Sequence, residues 1–264
     1  MRSTPSVAAL PRGDRLLIST CLALITALAW VYLVRLDRQL SSSTQYDSMM
    51  AAMGMSTSVP WTLTDVLFTF LMWAVMMVGM MAGSALPVLL LFGSARAARG
   101  GQHVPLAVLV FGLGYAFVWA GFSLCAALAQ WVLHQAAMLS PAMATSNHRV
   151  GGAILIAAGV YQLTPFKGAC LTRCRSPLGF LMTNWRDGTT GTFAMGLRHG
   201  SYCLGCCWAL MCVLFVVGVM NLVWVAALSV LVLAEKIGPG AAILARVAGA
   251  LMIVAGVVVA AGVS

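Results

Sequence analysis

The stretch LTDVLFTFLMWAVMMVGMMAGSALPVLLLF, residues 63–92, decides the fold class. Its one charged side chain is Asp65, and nothing charged interrupts the run from Val66 to Phe92. A helix needs about 20 apolar residues to cross the hydrocarbon core of a bilayer. In lipid the backbone has to satisfy its own hydrogen bonds, which leaves helices or closed barrels. The run shows no period-two alternation, so it reads as a helix. Gly83, Ser84 and Pro87 are expected to bend it, because proline removes a helical hydrogen bond.

The rest of the chain repeats this pattern outward. Toward the N-terminus, residues 16–34 are apolar and follow a basic tail with Arg2, Arg12 and Arg15. A signal peptide is the competing reading, but the run exceeds the usual apolar core of about 7–15 residues and no small-x-small site follows. An uncleaved span is expected. A polar loop over 35–60 comes next. Toward the C-terminus, spans are expected at 105–133, 150–163, 201–220, 222–234 and 241–263, with a short surface-lying helix at 176–185. The expectation is an all-α, polytopic transmembrane helix bundle of about seven spans, or six if 201–234 is miscounted. It forms a single integral membrane domain over residues 1–264. Residues 1–15 are expected to be a cytoplasmic tail and 164–200 a cytoplasmic Cys-rich basic loop.

Composition agrees. The 264 residues are 61% hydrophobic and 8% charged, against about 25% charged in a soluble domain. Arginine and lysine set the orientation. With the N-terminus inside, the inner segments hold Arg2, Arg12, Arg15, Arg96, Arg99, Lys167, Arg173, Arg175, Arg186, Arg198 and Lys236. The outer segments hold Arg35, Arg38 and Arg149. The C-terminus is then expected outside. The net charge of +9 follows from this bias and calls for no nucleic acid. The inner loop can also meet anionic lipid of the bilayer.

Cysteine carries the chemistry. Cys21, Cys125 and Cys212 sit alone in apolar runs, where a free cysteine is a small hydrophobe. Cys170 and Cys174 stand four apart in KGACLTRCRSP, and Cys203, Cys206 and Cys207 follow His199 in LRHGSYCLGCCWALM. On a helix, His199, Cys203 and Cys207 share one face, with Cys206 beside them. Thiolates are soft ligands suited to Cu(I), zinc or iron–sulfur centres, and nearby cations favour the thiolate. The spacing is not a plain paired C-x-x-C zinc pattern. The competing readings are small residues at helix contacts and a redox pair, which the cytoplasm would normally keep reduced.

Methionine is the second signal. Met72, Met76 and Met80 recur at helical spacing in 63–92, broadened by Met77 and Met81. Thioethers bind Cu(I) without losing a proton, although methionine also fills irregular gaps. Met49, Met50, Met53 and Met55 cluster in the outer loop as MMAAMGM, readable as an interfacial helix or a Cu(I)-collecting site. Thiols inside, thioethers outside and a stripe between them fit copper(I) better than zinc. Asp65 and Glu235 are expected near span ends, Glu235 beside its neighbour Lys236. His103, His134 and His148 read as solvated loop residues. No G-x-S-x-G, H-E-x-x-H or P-loop is present, so hydrolase and ATPase machinery is not seen.

YQLTPFKGACLTRCRSPLGF, NWRDG and MGLRHGSYCLGCCWALM, with MWAVMMVGMMAGSALP, resemble a bacterial family of predicted metal-binding integral membrane proteins, domain of unknown function 2182. The resemblance runs from Trp61 to Lys236. Gly79 and Ala82 stand where that family's second-span motif has Ala and Pro. It implies metal binding at Cys170, Cys174, His199, Cys203, Cys206 and Cys207, a further contribution from the Trp73, Met76, Met80 and Met81 region, and residence in the bacterial inner membrane. It also implies a link to copper chaperones for copper oxidases. The expected function is a copper(I) chaperone or delivery protein serving a copper-dependent enzyme or copper homeostasis, with that enzyme or a small copper-binding protein as partner. The alternatives are a membrane thiol–disulfide oxidoreductase using Cys203/Cys206 or Cys170/Cys174, and a membrane scaffold without metal.

Overall fold

The computed structural model describes residues 10–52, 61–136, 145 and 147–262, with the side chains of 41–52 left out. The described chain is helical almost throughout. It comprises α1 (Arg12–Ala52), α2 (Leu63–Ala98), α3 (Val104–Gln135), α4 (His148–Leu163) and α5 (Pro165–Arg175). These are followed by α6 (Pro177–Asn184), α7 (Gly188–Cys212), α8 (Leu214–Val217), α9 (Leu222–Ile237) and α10 (Ala241–Ala260).

The all-α expectation holds, and the span count changes. Among the described residues, five helices are long and apolar enough to cross a membrane, or six if α4 and α5, bent by 63°, form one broken span. The expected span at 222–234 drops out in either count, and that at 150–163 drops out with it if α4 stands alone. At 16 residues, α9 rises about 24 Å, short of a hydrocarbon core of about 30 Å.

Two expected loops are helical. α1 runs on through Ala52, so most of the polar stretch 35–60 is helix, including the backbone at Met49 and Met50. Met53 and Met55 fall outside the described residues. The expected basic loop at 164–200 is largely α5, α6 and the first half of α7. Proline opens both α5 and α6, where its missing N–H costs nothing. Thr164 accepts a hydrogen bond from the Lys167 amide to cap α5. The short helix expected at 176–185 is α6. Pro87 lies inside α2, which continues past it as one helix.

Packing follows small residues. α3 and α7 cross where a Cβ on Gly196 would overlap the Phe111 carbonyl and one on Gly114 would overlap the Phe193 carbonyl. α4 and α10 meet through Gly152, Gly159, Gly249 and Gly256 in the same way. Such close backbone approach characterises helix pairs in membranes, where water does not drive association. The core between α2, α3, α7 and α9 is filled by Trp73, Met76, Met77, Met81, Phe92, Phe111, Leu210, Met211 and Val225.

Candidate metal centre

Helical geometry gathers the Cys block of α7 on one buried face. Cys203, Cys206, Cys207 and His199 are all buried, each at 2% exposure or less. The Cys206 and Cys207 thiols both donate to the Cys203 carbonyl at 3.0 Å. That turns all three sulfurs inward on one face. Cys174, from α5, lies beside Cys203 and Cys206 and interacts with both. Cys170, one turn earlier, packs its sulfur on Gly205, where a Cβ would come within 2.9 Å of it. All eight cysteines are free thiols.

Cys203 is the hub. Its sulfur lies 3.0 Å from the Tyr115 hydroxyl of α3 and 2.9 Å from the Lys236 ammonium of α9. The same ammonium donates to the Ser84 hydroxyl at 2.9 Å and stands 4.0 Å from the Met81 sulfur, both on α2. Met81 therefore meets the thiols through Lys236. Met76, Met77 and Met80 are buried on the same helix. His199 sits among Phe111, Tyr115 and Phe180, with ring centroids 6.2, 6.1 and 5.1 Å away. Its buried Nδ1 has no hydrogen-bond partner among the described residues. A buried polar atom left unpaired is costly.

The structure corrects the reading of Glu235. It is buried, and it pairs with Lys167 at 2.6 Å rather than with its neighbour Lys236. Gln162 donates to the carboxylate at 3.1 Å and accepts from Lys167. Arg175 donates to the carbonyls of Glu235 and Gly238 at 2.8 Å each, closing the C-terminal end of α9. This polar layer ties α4 and α5 to α9 and holds Lys236 against the thiols. His134 also departs from a solvated loop residue: it lies in the last turn of α3 and stacks on Trp61, centroids 4.7 Å apart.

Sequence reasoning passed over Tyr115, Ser84 and Lys236. Lys236 left a signal, since the chain has two lysines and this one closes an apolar run. An ionisable residue in such a run marks a functional site by default.

A family model described as PpoB2, copper chaperone, matches residues 70–259. The chain belongs to the PpoB2 copper chaperone family. No curated protein and no solved structure matches it. The match takes in every thiol and thioether of the centre, from Met72 to Cys212, and also Lys236. Membership of this family supports a copper-related role. The donor set fits a soft monovalent ion: thiols, a thioether and an imidazole nitrogen without a partner. As they stand, no group of three or more His, Cys, Asp or Glu side chains among the described residues is arranged to hold a metal ion. Cys203 is instead engaged by an ammonium.

Proposed function

We propose that this chain is an integral membrane copper(I) chaperone that carries its cargo at the thiols around Cys203. The observation that supports this most directly is the gathering of Cys174, Cys203, Cys206 and Cys207, with Met81 across the Lys236 ammonium from Cys203, inside an apolar bundle of a copper chaperone family. His199 adds a nitrogen on the same helical face, and Cys170 flanks the group. Soft sulfur ligands select Cu(I) over harder ions. Uptake releases protons from the thiols that become ligands. The five long apolar helices support residence in the bilayer. The bias of basic residues supports an N-terminus in the cytoplasm and a C-terminus outside, as in a bacterial inner membrane. Copper entering from the thiol side would pass to the methionines of α2, and from there to a copper-dependent enzyme or a small copper-binding protein.

The test is metal content after anaerobic purification in mild detergent. Wild type is compared with a variant carrying Cys174→Ser, Cys203→Ser, Cys206→Ser and Cys207→Ser, with thiols counted on the same samples. About one copper per chain is expected for wild type, lost in the variant while helical content stays constant. Zinc in its place would refute copper as cargo. Metal-free protein with paired thiols would point to a thiol–disulfide oxidoreductase, which the proximity of Cys174, Cys203 and Cys206 also permits. Metal-free protein with free thiols would leave a scaffold.

A further inference from the structure

Lys236 is a buried cation with no carboxylate partner among the described residues. Its ammonium touches the Cys203 sulfur and the Ser84 hydroxyl, both at 2.9 Å, and faces the Met81 sulfur at 4.0 Å. The adjacent Glu235 is taken by Lys167 and Gln162. The other groups around it come from α3 (Tyr115), α5 (Cys174) and α7 (His199, Cys203 and Cys207). A buried charge is costly unless answered. Here the polar groups answering it are mainly sulfur ligands, the same atoms that suit Cu(I).

An ammonium and Cu(I) each carry one positive charge. They cannot share one buried sulfur group, because like charges at contact repel strongly where water is scarce. We propose that Lys236 is a placeholder cation: its ammonium occupies the copper(I) position in the unloaded protein and is exchanged one for one with the incoming ion. This rests on the copper(I) reading above. The exchange moves no electrons, and one positive charge replaces another, apart from the proton released by each thiol that becomes a ligand. It also keeps the cargo releasable, since the returning ammonium competes for Cys203. The four-carbon stem of Lys236, one residue from the end of α9, lets the ammonium withdraw toward the helix end while the stem stays packed. Lys167 has no such freedom, being locked to Glu235.

The test has two arms. In the first, wild type, Lys236→Leu and Lys236→Arg compete for Cu(I) against a chromogenic chelator in detergent. Lys236→Leu, which adds no copper ligand, is expected to bind about tenfold tighter or more, and to release copper more slowly, because the competing charge is gone. Lys236→Arg is expected to bind no tighter than wild type. Equal or weaker binding by a folded Lys236→Leu protein would overturn the proposal. The second arm uses wild type alone. A small amine-acetylating reagent is applied with and without stoichiometric Cu(I), and the sites are mapped by mass spectrometry. Acetylation of Lys236 is expected to rise on loading, with Lys167 constant as internal control. Unchanged Lys236 reactivity on loaded protein would also overturn it. If neither wild type nor Lys236→Leu takes up Cu(I), the copper reading itself fails and this proposal falls with it. Uptake by both at equal affinity removes the placeholder role alone.

Discussion

His199 and Glu235 show opposite ways of managing a buried polar group. Glu235 is satisfied: its carboxylate meets Lys167 at 2.6 Å and Gln162 at 3.1 Å. Removing one partner of such a pair strands the other charge, at a cost of about 3–5 kcal/mol. Glu235→Gln is therefore expected to unfold by about that much more readily, followed by denaturant unfolding in detergent. The triple change Lys167→Met, Glu235→Leu and Gln162→Leu is expected to be near neutral, because a buried ion pair replaced together with its polar partner by apolar residues of similar volume loses little. His199 is the reverse case. Its Nδ1 has no partner among the described residues, and its ring already lies among Phe111, Tyr115 and Phe180. An unpaired buried polar atom costs about 1–3 kcal/mol. His199→Phe is expected to raise the melting temperature of the metal-free protein while lowering its copper uptake. A drop in stability instead would mean that the imidazole is structural. Stability given up at a site that needs it for function is a common trade.

At the scale of elements, the site depends on how closely α3 approaches α7. The glycine pair Gly114 and Gly196 lets the backbones touch, which sets Tyr115 at 3.0 Å from the Cys203 sulfur. Gly196→Val is expected to push the helices apart and cost about 1–3 kcal/mol from overpacking. It should also expose Cys203 to alkylating reagents, read out by maleimide labelling of the metal-free protein. Gly79 on α2 is a control. A Cβ there would meet Ala29 and Trp30 at 3.6 Å, an ordinary contact. Gly79→Ala should be tolerated, and should stabilise by up to about 1 kcal/mol through helix propensity. These elements differ in how far the sequence discloses them. α2 and α10 are legible from uninterrupted apolar runs, and the shared face of His199, Cys203 and Cys207 from the four-residue spacing. α5, and the first half of α7, are not: their polar, basic composition reads as loop, and helical burial against neighbouring elements overrides it. The partner of Glu235 was also hidden. Lys167 lies 68 residues away, and proximity in sequence suggested Lys236.

At the scale of the whole molecule, helix directions constrain topology more tightly than helix lengths. Trp30 of α1 meets Gly79 of α2, and Leu10 meets Gly93, so these helices run antiparallel. Trp73 pairs with Gln130 and Phe92 with Phe111, so α2 and α3 are antiparallel too. Along α3 and α7, Phe111 meets Gly196 and Val118 meets Gly200, so that pair is parallel. Gly152 of α4 faces Gly256 of α10, and Gly159 faces Gly249, so α4 and α10 are antiparallel. Tyr161 meets Gly205 while Gly151 meets Val216, which sets α4 against α7 as well. α7 and α10 therefore point the same way, and the chain has to return between them through α9, short as it is. α9 ends where Lys236 reaches Cys203, at a middle turn of α7, so its return stops partway down the long helices. The same directions place the start of α1 and the end of α10 on opposite sides of the layer. With the basic ends of α2 and α5 facing the cytoplasm, a reporter enzyme active only outside the cytoplasm is expected to be active when fused after Ala260. The same reporter fused after Ala98 is expected to be silent. Activity in the reverse pattern would invert the thiol and methionine sides, and with them the direction of copper transfer. Activity of neither fusion would place both termini of the bundle in the cytoplasm and break the antiparallel return through α9.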